Sequence, residues 1–403
     1  MEPFLTILIC LMLAYFLAEV FKKLGLPRVV GQIIAGLLLS IGFVKAYVFN
    51  TDSLEIIDFL ANLGLIFLFY YVGLETNFKS FTKNFKKSIF ISIFNTSLPF
   101  IAGFLLAKYG LNLDILSSII IGVSLSVSAQ SVSIDLLEEL RLLKSKLGNL
   151  IITAGAVDDV LELLLVTSLL GIFYSAITHL GILQFILDMS IFLAVLTLAK
   201  LIIIPYSLKF FDIEKSSTSR FMLSTMIVLG VALLSHYLGM GLFIGAMAAG
   251  IIVRQSISKE MIRPNWEEQD IAKSTHIIAF GFLLPLFFVK IGITTELHLI
   301  LTNFKLIILF IIIALLGTVI GTVIATWLNK GTFKEGLILG FGLSPKGDLE
   351  LAIITLALEN SIITNNIYTS LVIMSLSTTI LAPIIFKKLV QTYGTNLKAA
   401  KSS

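Results

Sequence analysis

The sequence predicts an all-α polytopic membrane protein of about thirteen transmembrane helices, arranged as an inverted repeat with two broken helices. Three observations carry that prediction. The 403 residues are 57% hydrophobic and 13% charged, with a mean hydropathy of +1.01, too apolar for a soluble domain. Basic residues fall on alternate loops, and short segments recur at matching places in the two halves.

Apolar runs of about twenty residues place the spans at 3–21, 28–48, 54–74, 87–107, 114–136, 147–172, 184–208, 219–237, 239–255, 273–293, 304–328, 333–358 and 364–386. The first opens Met1-Glu2-Pro3, with neither a basic stretch nor a small-residue cleavage site, and reads as a retained helix. Lysines and arginines follow the odd-numbered spans: Lys22, Lys23 and Arg28; Lys79, Lys83, Lys86 and Lys87; Arg141, Lys144 and Lys146; Lys209, Lys215 and Arg220; Arg254, Lys259 and Arg263; Lys330 and Lys334. Lys387, Lys388, Lys398 and Lys401 fill the tail, and the intervening loops hold only Lys45, Lys108 and Lys305. By the positive-inside rule the N-terminus is outside and the C-terminus cytoplasmic, which requires an odd number of spans. Residues 1–390 read as one membrane domain and 391–403 as a short cytoplasmic tail. The net charge of +4 resides in those loops, so it speaks for membrane orientation and against a nucleic-acid partner. Cys10 is the sole cysteine, which excludes an intrachain disulfide and a cysteine-rich metal site.

The repeat shows in "FLFYYVGLETNF" (67–78) and "LFFVKIGITTEL" (286–297), where aligning Gly73 with Gly292 places Phe69 on Phe288 and Thr76 on Thr295. The two segments lie an odd number of spans apart, so they face opposite sides. The spans over 114–136 and 333–358 also correspond, since "IGVSLSVSAQS" and "LGFGLSPKGDL" each interrupt an apolar run with polar, Gly or Pro residues. Such breaks leave backbone N–H and C=O groups unpaired at membrane depth, where only a cavity or site satisfies them. Interrupted segments at matching places in inverted halves point to a transporter's binding site. The first of them offers Ser124, Ser126, Ser128, Gln130, Ser131 and Ser133, whose oxygens suit a hard monovalent cation; serines that bond back to their own helix are the plain alternative.

"AGAVDDVLELLL" (154–165) sets Asp158 and Asp159 mid-span, with Glu162 one turn on. An uncompensated charge at that depth costs about 2.5 kcal/mol or more, so the pair requires a return. Successive helical residues point about 100° apart; one carboxyl faces a cavity and the other a neighbouring helix. A buried carboxyl beside a like charge holds either a proton or a cation, the minimum chemistry of exchange. Lys346, Asp348 and Glu350 in "SPKGDLEL" and Lys290 are the other ionisable groups at depth, placed to compensate carboxylates or helix ends; for Lys290, snorkelling to the interface is the plain alternative.

Together with "PRVVGQIIAGLLLSIG" (27–42), "SLSVSAQSVSIDLLEEL" (124–140), "LFIGAMAAGII" (242–252), "LPLFFVKIGITTEL" (284–297) and "GFGLSPKGDLELAI" (340–353), these motifs make the chain resemble a cation/proton antiporter of the second monovalent branch over nearly its whole length. The resemblance implies the inverted-repeat sodium/proton antiporter fold and a homodimer. Each protomer would hold core helices over approximately 87–172 and 273–390, the rest serving dimerisation and scaffold. It further implies Asp159 as the main cation and proton carrier, Asp158 beside it and Ser128 at a hydroxyl position. Ser126 and Gln130 would line the crossing, and Lys346 and Asp348 would form a basic–acidic pair. No catalytic residue and no cofactor is implied; the partners are a monovalent cation, protons and the lipid bilayer. The chain departs from the branch at Ala314, where electrogenic members carry a lysine, at Gln32, commonly glutamate, and at Lys290, Glu162 and Glu350, usually neutral.

The function expected is secondary antiport of Na⁺, with Li⁺ and K⁺ as alternatives, against H⁺ by alternating access, rather than enzymatic turnover. A potassium-efflux pathway is the alternative, but such relatives usually append a nucleotide-sensing domain and this chain ends at Ser403 without one. An intramembrane aspartyl protease is disfavoured, since Gly347-Asp348 is preceded at position 345 by proline rather than glycine.

Overall fold

The structure, a computed structural model, describes residues 2–75, 85–140, 217–238, 241–260 and 270–393, with parts of 142–197. Every regular element among them is helical. The helices are α1 (Pro3–Lys23), α2 (Arg28–Leu39), α3 (Gly42–Val48), α4 (Thr51–Glu75), α5 (Phe85–Leu105), α6 (Ile115–Ser126), α7 (Gln130–Glu139), α8 (Ser217–Tyr237) and α9 (Leu242–Glu260). There follow α10 (Asp270–Ile278), α11 (Leu284–Thr294), α12 (Leu297–Thr302), α13 (Phe304–Leu328), α14 (Phe333–Gly342), α15 (Asp348–Glu359) and α16 (Asn365–Tyr393). A π-turn over Leu106–Gly110 prolongs α5, and another over Ala279–Leu283 joins α10 to α11. Residues 147–155 and 157–158 are also helical and carry Asp158; Asp159 and Glu162 lie outside the described residues.

Among the described residues six helices are long and apolar enough to span a membrane: Pro3–Lys23, Thr51–Glu75, Lys86–Gly110, Ile271–Thr294, Phe304–Leu328 and Asn365–Tyr393. The predicted span over 28–48 is two helices, α2 and α3, bent by 90°. The bend follows Ser40, whose hydroxyl donates to Leu37 O at 2.7 Å and closes the last turn of α2. The spans predicted over 114–136 and 333–358 are each two half-helices, as the interrupted patterns anticipate. Those over 147–172 and 184–208 fall largely outside the described residues.

Local chemistry sets the helix ends. Pro3 starts α1 where its missing N–H costs nothing, and Lys22 and Lys23 stand in its last turn against the negative helix end. Asp114 accepts from Ser117 N at 3.0 Å to cap α6, and Thr332 accepts from Glu335 N at 3.1 Å to cap α14. Arg254 of α9 donates to Leu74 O at 2.6 Å, satisfying a carbonyl in the last turn of α4.

Helices meet at glycines. A Cβ on Gly73 of α4 would stand 2.2 Å from Met247 O and 3.1 Å from Gly250 Cα of α9. A Cβ on Gly292 of α11 would stand 2.3 Å from Ile33 O and 2.6 Å from Gly36 Cα of α2. The two aligned glycines thus each touch a glycine on another helix, and α2 and α9 repeat the same spacing as Gly31/Gly36 and Gly245/Gly250. Gly31 abuts α1 at Leu17, as Gly245 abuts α8 at Val231. The repeat therefore extends from motif to packing: α1–α2–α11 and α8–α9–α4 are equivalent triplets. α11 packs on α1, α2 and α4, whereas α13 packs on α5, α14 and α16. Overpacking such a contact typically costs about 1–3 kcal/mol.

Candidate ion site at the helix crossing

The breaks in α6/α7 and α14/α15 meet each other. Ala129 N donates to Pro345 O at 2.7 Å, and Ser133 Oγ donates to Gly342 O at 2.6 Å. Gly347 lies against Ala129, where a Cβ would come within 2.6 Å of the alanine methyl. Backbone groups freed by one break are therefore partly satisfied by the other, with no lipid contact needed.

Lys346 is wholly buried in this crossing. Its Nζ donates to Ser126 O at 3.3 Å, so an ammonium stands at the C-terminal, negative end of α6. Thr379 of α16 fixes the same residue by donating to Lys346 O at 2.7 Å. Asp348 and Glu350 occupy the first turn of α15, its positive end. Glu350 is buried and accepts from Ser375 Oγ at 3.1 Å through Oε2, while its Oε1 has no hydrogen-bond partner among the described residues. An ammonium thus stands at the negative end of α6 and two carboxyl groups at the positive end of α15.

Asp158 is buried beside α5. Its Oδ1 accepts from Ser92 Oγ and from Thr96 Oγ1 at 3.1 Å, and its Oδ2 accepts from Asn95 Nδ2 at 2.8 Å. The charge of Lys346 also acts on it. Sequence reasoning named none of the three α5 donors. The signal was present as polar residues at 88, 92, 95 and 96, which share one face of a mainly apolar helix.

Ser128 lies in the break between α6 and α7, partly exposed. Ser126 and Ser124 donate back to Val123 O at 2.9 Å and Ile120 O at 2.8 Å, so Ser126 contributes its carbonyl, not its hydroxyl, to Lys346. Gln130 opens α7, with its side chain outside the described set. Lys290 is placed elsewhere: its Nζ stands 2.7 Å from Glu359 Oε1 and 3.1 Å from Asp58 Oδ1, at the end of the molecule opposite the lysine-rich loops. Among the described residues no group of three His, Cys, Asp or Glu side chains is placed to hold a metal ion.

A sequence profile described as "Sodium/hydrogen exchanger, transmembrane" matches residues 7–392. Cation/H(+) antiporter 19 of Arabidopsis thaliana is 30% identical over 391 residues, covering 93% of this chain and 47% of that protein. The Na(+)/H(+) antiporter of Enterococcus hirae is 25% identical over 374 residues, covering 92% and 93%. The chain thus spans about half the length of the plant relative and nearly all of the bacterial one. The sodium proton antiporter MjNhaP1 of Methanocaldococcus jannaschii superposes with a TM-score of 0.67 over 99% of both chains at 17% identity, a likeness of fold.

Proposed function

The chain belongs to the sodium/hydrogen exchanger transmembrane family, and from that premise we propose that it is a secondary antiporter exchanging a monovalent cation, Na⁺ foremost, for H⁺ by alternating access. The observation that carries this reading is the burial of Asp158 beside a crossing of two broken helices whose ends are balanced by Lys346, Asp348 and Glu350. A carboxylate at such a place exchanges a cation for a proton without a cofactor. Asp159, next in the chain, is the main carrier in this proposal, with Ser128 in the break supplying a further oxygen.

The core is proposed over 87–172 and, in place of 273–390, over 304–390, because among the described helices α13 packs on α5, α14 and α16 whereas α11 lies on α1, α2 and α4. A cavity of about 660 Å³ separates the α1–α2 turn, with Lys22, Lys23 and Arg28, from Val132 and Leu136 of α7 and Lys387 of α16. It opens at the basic end, which the positive-inside rule assigns to the cytoplasm; the conformation reads as inward-facing. The same charges support an outside N-terminus and a cytoplasmic C-terminus, and residence in the cell membrane is proposed with the family. Two copies are proposed from the resemblance, and Phe4, Met12, Tyr15 and Phe16 leave an apolar face of α1 for lipid or a second protomer.

The test is transport by the purified protein in proteoliposomes loaded with a pH-reporting dye, on addition of Na⁺, K⁺, Li⁺ or Ca²⁺. Alkalinisation of an acidified lumen on cation addition is expected, strongest with Na⁺. Cation flux without any proton counter-movement would favour an efflux pathway instead.

A further inference from the structure

One face of α16 splints the second break. Three successive carbonyls of that break go to three different elements. Pro345 O accepts from Ala129 N of the first break at 2.7 Å, Lys346 O from Thr379 Oγ1 of α16 at 2.7 Å, and Gly347 O from Leu351 N of α15 at 3.2 Å. The direction of the Thr379 bond is fixed by chemistry, because a main-chain carbonyl only accepts. Thr379 and Lys346 are both buried, so the carbonyl has no bulk solvent to turn to if that hydroxyl is lost. One turn before Thr379 on the same face, Ser375 Oγ stands 3.1 Å from Glu350 Oε2 in the first turn of α15. Two turns after it, the Phe386 ring closes on the end of α14, where a Cβ on Gly342 would stand 2.8 Å from it. A continuous helix thus touches both half-helices and the residue between them. That residue carries the ammonium that donates to Ser126 O at 3.3 Å, and its charge reaches Asp158 and Glu350.

We propose that Thr379 is a positioning residue for the cation site: by tethering the main chain of Lys346 to α16 it keeps the ammonium at the end of α6, and so sets the affinity for the cation. The proposal rests on the antiport reading above and deepens it. Without the tether the main chain of Lys346 relaxes and the ammonium follows it, leaving a neutral carbonyl for the carboxyl groups within its reach. There it competes with the incoming cation for the same oxygens. Thr379 acts through Lys346 and is not itself a ligand.

Two measurements test the tether, one dependent on transport and one not. Thr379→Val removes the donor at nearly constant shape, whereas Thr379→Ser retains it. In proteoliposomes the valine variant should raise the KM for Na⁺ about fivefold, the loss of one hydrogen bond, with kcat nearly unchanged. The serine variant should keep the wild-type KM. An unchanged or lowered KM in the valine variant, or equal behaviour of the two variants, would overturn the proposal. So would a valine variant that fails to fold where the serine variant folds, because the hydroxyl would then be structural. Independently, hydrogen exchange across residues 344–351 should quicken about fivefold in the valine variant alone. Wild-type exchange in that segment would show that Thr379 tethers nothing and would overturn the proposal. If the wild type moves no protons against cations the antiport reading fails, while the exchange result still judges the tether by itself.

Discussion

Lys290 of α11 and Glu359 of α15 are joined by an ion pair of 2.7 Å, with Asp58 of α4 3.1 Å from the same ammonium. The pair links α11, which packs on α1, α2 and α4, to α15, which packs on α6 and α16; the two groups also meet where α16 touches α2. Asn365 Nδ2 adds a 2.7 Å bond to Glu296 Oε1 at the same end. With the cavity open at the opposite, basic end, these contacts close the molecule on one side. The Lys290 side chain is only 13% exposed, so the pair is better shielded than an ordinary surface bridge. Lys290→Met should raise the population open at this end by about fivefold, the equivalent of about 1 kcal/mol. Hydrogen exchange across residues 359–365 should quicken accordingly, and unchanged exchange there would show that the pair holds nothing shut.

Asp159→Asn should abolish exchange while leaving a folded protein, because an amide cannot alternate between proton and cation. Asp158→Asn should be severe but leave residual transport. Dye-monitored flux in proteoliposomes checks both; wild-type rates with unchanged cation affinity in both variants would remove the site from these two residues.

Ala314 is buried in α13 and offers no charge, and Lys346 is already engaged at the end of α6. With no ammonium at the depth of Ala314 to release a proton when the cation arrives (Lys305 stands exposed at the start of α13), one proton should leave for each monovalent cation. Na⁺/H⁺ exchange should therefore stay nearly constant when a valinomycin/K⁺ potential is imposed, in conditions where K⁺ is not itself transported. Marked acceleration by the potential would show that a second proton moves.

Cation affinity should fall as pH drops, since protons and cations compete for one carboxyl site. The apparent KM for Na⁺, measured over three or more pH values spanning the activity midpoint, gives the answer. A flat profile would place the two ions at separate sites.

Outside the membrane core, Asp114 provides a titration with a clear sign. Partial burial pushes its carboxyl up, but bonds from Ser117 Oγ and from the Ser117 and Leu116 amides outweigh it and hold the group below its ordinary value of 3.8. A depressed folded-state value means that the stabilisation is present above the unfolded value and disappears as pH falls through the folded one. Asp114→Ala should therefore destabilise the protein at neutral pH by about 0.5–2 kcal/mol. The difference in Tm from wild type should shrink below about pH 4 as the wild-type carboxyl is neutralised.

The sequence made the segment boundaries and the charged residues at depth legible, because hydropathy and charge are properties of single residues. It made Gly73 and Gly292 legible as a pair, yet not the glycines each of them touches, since which helices meet is a matter of three-dimensional packing. The 90° bend after Ser40 was hidden because an apolar run carries no information on backbone direction. Lys346 was recognisable as a compensating charge, but its partner, a main-chain carbonyl of Ser126, has no signature in side chains. Lys290 looked like a member of the ion site from its depth alone, whereas the fold gives it Glu359 and Asp58 at one end of the molecule. Ser92, Asn95 and Thr96 were readable as a helical stripe and were passed over, because the adjacent aspartates are the more conspicuous break in an apolar run.

The two glycine crossings bear on how the molecule yields under load. Where Gly36 meets Gly292 and Gly73 meets Gly250, main chain rests on main chain, with no layer of side chains between to compress or change rotamer. Such contacts are stiff, so the triplets α1–α2–α11 and α8–α9–α4 behave as two plates with little internal compliance. Deformation is then confined to surfaces lined by long side chains, among them the seam of Lys290, Glu359, Glu296 and Asn365 and the basic cavity beside α7. A sequence duplicated with its glycines intact inherits the same rigid joint twice, and with it two matched plates against which a softer assembly can swing.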